Sequence, residues 1–130
     1  MAHFPQSIRP TLAENRILRR TILGESLDAS GVAAFVFDAE GALMTANEAA
    51  RTLTGYSWEE LLQMDSAGLT AEPQLAPERV AAVVAGSLEA GSGFIRTKEG
   101  TNVAVDFHVG PTTFAGSTGY YLSLCWRAPG

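Results

Sequence analysis

Cysteine is almost missing from this chain: Cys125 is the single instance in 130 residues. An internal disulfide is therefore excluded, and the usage fits a reducing compartment. Histidine is nearly as scarce, with only His3 and His108. No His/Cys/Asp/Glu cluster stands at ligand spacing, which argues against a metal centre. No run of about 18 apolar residues occurs, so nothing reads as a helical membrane span. The opening MAHFPQSIRP lacks an apolar stretch of signal-peptide length, and a cytoplasmic location is expected. Basic residues are outnumbered 9 to 14, for a net charge of −5. The local basic cluster ENRILRR does not reverse that balance, so neither nucleic acid nor an anionic membrane is an expected partner.

What is present is the composition of one soluble domain, long enough to bury a core and too short for two. Residues 1–10 are expected to be a disordered tail, 11–29 an N-terminal helix, 30–127 the core and 128–130 a second tail. The chain stops at RAPG directly after an apolar run, as expected of a domain cut from a longer protein.

The helix at 11–29 opens on the capping box Thr11-Leu-Ala-Glu14, and Leu12, Ile17, Leu18, Ile22, Leu23 and Leu27 make a wide apolar stripe. GVAAFVFDAEGALMTAN then reads as a hairpin, with strands at 32–37 and 42–46 about a turn at Asp38–Gly41. Asn47 can cap a helix EAARTLT that Gly55 terminates. Ser57-Trp-Glu-Glu60 is a second capping box, opening WEELLQM. Residues 65–76 read as loop. Pro77 begins a helix that carries Val80, Val83, Val84 and Leu88 on one face and ends at Gly91. GFIRT, TNVAVDFHV and GYYLSLCWR read as strands. The helices interrupt the strands after the second, so the fold class is α+β: one five-stranded antiparallel sheet with short helices over one face.

Four pieces in this order, FVFDAEGAL, ANEAARTLTGYSWEELL, RTKEGTNVAVDFHVGP and the aromatic last strand, resemble a PAS domain from about Ala29 to Trp126. The resemblance implies sensing, ligand binding or dimerisation in the service of a linked output domain, and no catalysis. The last strand departs from the family at WRAPG, where Arg127 stands in place of an expected aspartate.

Flavin- and haem-binding PAS relatives provide tests. The light-oxygen-voltage group needs a cysteine-bearing helix, and no such motif occurs between Met64 and Pro77. The positions of its ring-binding amides fall at Ile95, Val105 and Cys125, which cannot pair with the polar edge of an isoalloxazine. Haem relatives place a histidine on or near the long helix. Here that helix has none, and His108 alternates out of phase with Val105, Phe107 and Val109. No cofactor is expected. Nor is an enzyme: Glu59 and Glu60 diverge on their helix, and GSGF at 91–94 lacks the lysine of a phosphate loop.

What remains is an apolar cup. Its implied lining includes Phe35 or Val36, Met44, Leu53, Tyr56, Leu61, Val80, Val84, Ile95, Val105, Phe107, Tyr121, Ser123 and Cys125. Two readings stand: a filled core, or a pocket for a small apolar molecule such as a fatty acid or an aromatic, oriented by Tyr56, Tyr121 and Ser123. The same strand phase turns Tyr120, Leu122, Leu124 and Trp126 outward. With Leu18 and Ile22 of the N-terminal helix, these form the expected face of a homodimer.

Overall fold

The computed structural model describes residues 29–129. Apart from its last residue, the helix expected at 11–29 lies outside them, as do Leu18, Ile22 and the tail at 1–10.

The described chain builds β1 (Ala33–Asp38), β2 (Leu43–Ala46), α1 (Glu48–Thr54), α2 (Trp58–Leu61) and α3 (Ser66–Leu69). A 3₁₀ turn at Pro73–Leu75 then leads into α4 (Ala76–Val84), followed by β3 (Ala90–Arg96), β4 (Asn102–Phe114) and β5 (Ser117–Arg127). The strands form one five-stranded sheet in the order β2-β1-β5-β4-β3. Every neighbouring pair is antiparallel. The long β5 thus sits at the centre beside the apolar β1, while the short β2 and the glycine-bearing β3 take the edges, where exposed ladder groups are a hazard.

Local chemistry explains most boundaries. Asp38 Oδ1 accepts from the backbone N–H groups of Glu40 and Ala42, which closes the β1–β2 turn. Asn47 caps α1 by accepting from Ala50 N–H. Gly55, at φ 79°, ends it with a backbone bond back to Arg51. Ser57 and Glu60 form the expected capping box on α2. Glu60 also pairs with Lys98 at 2.9 Å, which fastens α2 to the β3–β4 turn. The Ser57 backbone bond and then Lys98 hold the Glu60 carboxyl below its ordinary range.

Several boundaries differ from the expectation, and α2 closes at Leu61 where WEELLQM is expected to continue the helix. Residues 65–76 are not loop: Asp65 caps α3 by accepting from Gly68 N–H, and the 3₁₀ turn follows. The last helix stops at Val84, and Gly86, at φ 79°, makes the exit rather than Gly91. Gly91 instead belongs to β3, which starts early because its ladder with β4 reaches Ala90 opposite His108. β4 runs past Val109 to Phe114 and includes Pro111. Proline is tolerated there because β3 has already ended, leaving β4 as an edge.

The core is densest under the first half of the helical layer. Ala33, Phe35, Leu43, Ala50, Leu61, Leu69, Val105 and Cys125 are buried together, with Leu61 fully enclosed. Among the described residues, no helix is long and apolar enough to cross a membrane.

Candidate functional site

Side chains facing each other across an antiparallel ladder share a face, so the register defines the floor of the cup. One row runs Ala33, Cys125, Phe107, Gly91 across four strands. On one side of it Val105 lies opposite Gly93. On the other, Phe35 faces Ser123, which faces Val109, and Phe37 then faces Tyr121. Large side chains on β1, β4 and β5 thus meet hydrogen atoms on β3, and the floor drops away toward that edge.

Helix α4 forms the roof. Val80, Val83 and Val84 recur at the spacing that puts them on one side of a helix, and Leu88 continues the stripe past its end. Between roof and floor lies a cavity of about 180 Å³. The roof rests lightly on the sheet: of α4, only Ala76 is buried, and Val84 is 44% exposed. The space exists because glycines stand where the floor would otherwise rise. A Cβ at Gly93 would meet nothing within 4 Å, whereas one at Gly91 would press on the Phe107 ring at 2.9 Å.

Ile95, Val105, Phe107, Tyr121, Ser123 and Cys125, all expected in the wall, line this cavity. Met44, Leu53, Tyr56 and Leu61 do not. Tyr56 follows the Gly55 break and packs, with Leu53, against the filled part of the core to which Leu61 belongs. The cup thus divides into a filled core beneath α1 and α2 and an open cavity beneath α4. The sequence reading missed Gly93, Phe37 and Arg79 as lining residues. The spacing of Gly91 and Gly93, two positions apart in a strand, was the available signal for Gly93.

The cavity is electrically quiet. Burial pushes the Cys125 thiol up to about 12, so it is neutral at physiological pH. The Arg79 guanidinium donates to Glu72 at 3.0 Å and to Thr70 Oγ1 at 3.5 Å, so its charge is already matched. Among the described residues, the hydroxyls of Ser123 and Tyr121 have no hydrogen-bond partner, and neither is sealed from solvent-sized space. Ser66, which also lines the cavity, has no partner for its hydroxyl among the described residues either, so a few donors and acceptors stand available in a mostly apolar chamber.

The opposite face carries Tyr120, Leu122, Leu124 and Trp126, as the strand phase required; they lie beside Asp38, Val36, Ala34 and Asp106 respectively. His108 is also there, stacked on Trp126 with ring centroids 5.9 Å apart. No histidine lines the cavity. Among the described residues, no group of His, Cys, Asp and Glu could hold a metal ion.

The family model described as PAS fold matches residues 24–125. The chain belongs to that family. Its fold is similar to the PAS domain of a Desulfitobacterium hafniense protein, at 22% identity and TM-score 0.67, covering 74% of this chain and 92% of that one. It is likewise similar to a domain of a sensory box sensor histidine kinase/response regulator from Geobacter sulfurreducens, at 21% identity and TM-score 0.71, covering 86% and 96%. A light-oxygen-voltage domain studied with a flavin analogue matches at 16% identity and TM-score 0.65, covering 81% and 83%. No curated protein matches this chain.

The residues of the cavity do not fit a flavin. Ile95, Val105 and Cys125 line it where polar ring atoms would need amides, and an unpaired buried carbonyl or ring nitrogen costs roughly 1–3 kcal/mol.

Proposed function

We propose that this chain is the sensory input module of a cytoplasmic signalling protein, taking up a small apolar molecule between α4 and the inner face of the sheet and relaying its presence to a linked output domain. The observation that carries this reading is the mostly apolar cavity, with hydroxyls that have no partner among the described residues, placed under a lightly held helix. Such a chamber has the composition of a ligand site: apolar walls with few polar groups for orientation. A roof so sparsely packed can move when the chamber fills, which gives occupancy a route to the surface. The role is binding rather than catalysis, because among the described residues neither Ser123 nor Tyr121 has a base within hydrogen-bond reach to activate it.

Organic extraction of the natively purified chain, followed by mass spectrometry, tests this. The expected result is a small molecule released in stoichiometric amount from the wild type and missing from Gly93→Leu, whose side chain fills the chamber. Equal extracts from both proteins would contradict it.

A second role is supported by the outer face. Leu122, Leu124 and Trp126 are large apolar side chains left half-exposed in a row on β5. With Leu18 and Ile22 of the segment at 11–29, they form the homodimer face in this reading, since contiguous apolar surface of this kind marks an interaction site. Sedimentation of the full chain should give a dimer that Leu124→Glu converts to monomer. A wild type that stays monomeric at high concentration removes this role.

A further inference from the structure

The chemistry of the cavity narrows the occupant beyond "small and apolar". This step rests on the reading of the cavity as a ligand site and names the class of molecule that site takes. We propose that the ligand is a neutral monocyclic aromatic carrying one oxygen, of the size of a substituted phenol.

Size supplies the first argument. An apolar protein cavity of about 150 Å³ holds benzene. The chamber here, at about 180 Å³, has room for one such ring and a small substituent. A long acyl chain or a three-ring cofactor would not be held within it and would protrude into solvent.

Shape and surface supply the second. Phe35 and Phe37 stand with ring centroids 6.1 Å apart and nearly parallel, and Phe107 and Tyr121 complete the aromatic part of the wall. Aromatic rings pair in offset or edge-on arrangements with a preference beyond area alone. An aromatic guest is therefore favoured over an aliphatic one of equal volume.

Charge supplies the third. Entry of an anion would strip its water in return for no unmatched counter-charge, because Glu72 already holds Arg79 and Asp38 at the wall adds a like charge. The groups that have no partner among the described residues are the hydroxyls of Ser66, Ser123 and Tyr121, each able to donate and accept. A hydroxyl or carbonyl on the guest offers them one. Ser123 and Tyr121 stand two residues apart along the inner face of β5.

The experiment is an NMR titration of the full chain with phenol, toluene and benzoate, each read at the amides and methyls of the cavity wall. The wild type should bind phenol roughly 2- to 10-fold more tightly than toluene, the worth of one hydrogen bond. Benzoate should bind more weakly than either. Ser123→Ala with Tyr121→Phe should bring phenol down to the level of toluene while leaving toluene unchanged. Gly93→Leu should remove binding of all three, and Gly93→Val serves if the leucine variant does not fold. Equal affinity for phenol and toluene, or tightest binding of benzoate, overturns the ligand class and leaves the cavity as a site. No saturable change at the wall with any probe, or changes that persist in the filled variant, overturns the site itself and the class with it.

Discussion

Asn47 and Ala34 bond to each other twice. The Ala34 N–H donates to Asn47 Oδ1 at 2.9 Å, and the Asn47 N–H donates to the Ala34 carbonyl at 3.0 Å. The same Oδ1 accepts from Ala50 N–H at the start of α1, while Nδ2 donates to the Val32 carbonyl at 3.0 Å. One side chain thus ties the first strand to the first helix, where an ordinary cap would satisfy the helix alone. Asn47→Ala strands the buried Ala34 amide as well as the cap, and should lower unfolding free energy by about 2–4 kcal/mol, above the usual loss for a cap. Asn47→Asp keeps the acceptor for Ala34 and Ala50 but sets a carboxylate oxygen against the Val32 carbonyl, so it should cost less than alanine only as far as the two retained bonds outweigh that repulsion. Denaturant unfolding of the two variants checks the order; a loss from alanine no larger than that from Ser57→Ala would show that the strand contacts add nothing.

Gly91 and Gly93 lie on the same face of β3 and should respond in opposite ways. A methyl at Gly91 meets the Phe107 ring at 2.9 Å, so Gly91→Ala should destabilise by about 1–3 kcal/mol as the ring is forced aside. A methyl at Gly93 enters open space, so Gly93→Ala should be neutral or stabilise by about 0.5–1 kcal/mol through the loss of backbone freedom in the unfolded chain. Thermal melts of both variants decide it. Equal losses would mean that the space beside Gly93 is closed in solution.

Cys125 supplies a pH signature. Its folded thiol is raised to about 12, while the unfolded thiol titrates near its ordinary value of 9.0. Below the unfolded value both states hold the proton, and the residue adds no pH dependence. Between the two values the unfolded chain releases the proton and the folded chain keeps it, so stability falls as pH rises. Wild type should therefore lose stability relative to Cys125→Ala from about pH 9 upward, with parallel behaviour below. Parallel curves throughout would mean that the thiol is not desolvated.

What the sequence conveyed follows the range of each interaction. The caps at Asn47 and Ser57 and the break at Gly55 are written in residues a turn apart, and each was read correctly. The strand Asn47 grips lies thirteen residues earlier, so the second half of its role was invisible until the fold was known. Helix α4 offered two possible stops, Gly86 and Gly91, with the same local signal; the ladder between β3 and β4 chose the first by claiming the second. The four-residue helix α3 has no period to read. Alternation along β4 and β5 placed Val105, Phe107, Tyr121, Ser123 and Cys125 in the wall. Tyr56 was misplaced because it sits in the link between two helices, where no alternation applies. Gly93 contributes by having no side chain, which residue-by-residue reading of a pocket overlooks.

The most direct measurement of the cavity itself uses a probe with no chemistry. Xenon enters apolar protein cavities of this size. Methyl NMR of the full chain under xenon should show saturable shifts at Val80, Val83, Leu88, Val105 and Val109, which surround the space, and none at Leu61 in the filled core. The same titration of Gly93→Leu should be flat. Saturable shifts centred on Leu61, or none at all in the wild type, would contradict an open ligand chamber beneath α4.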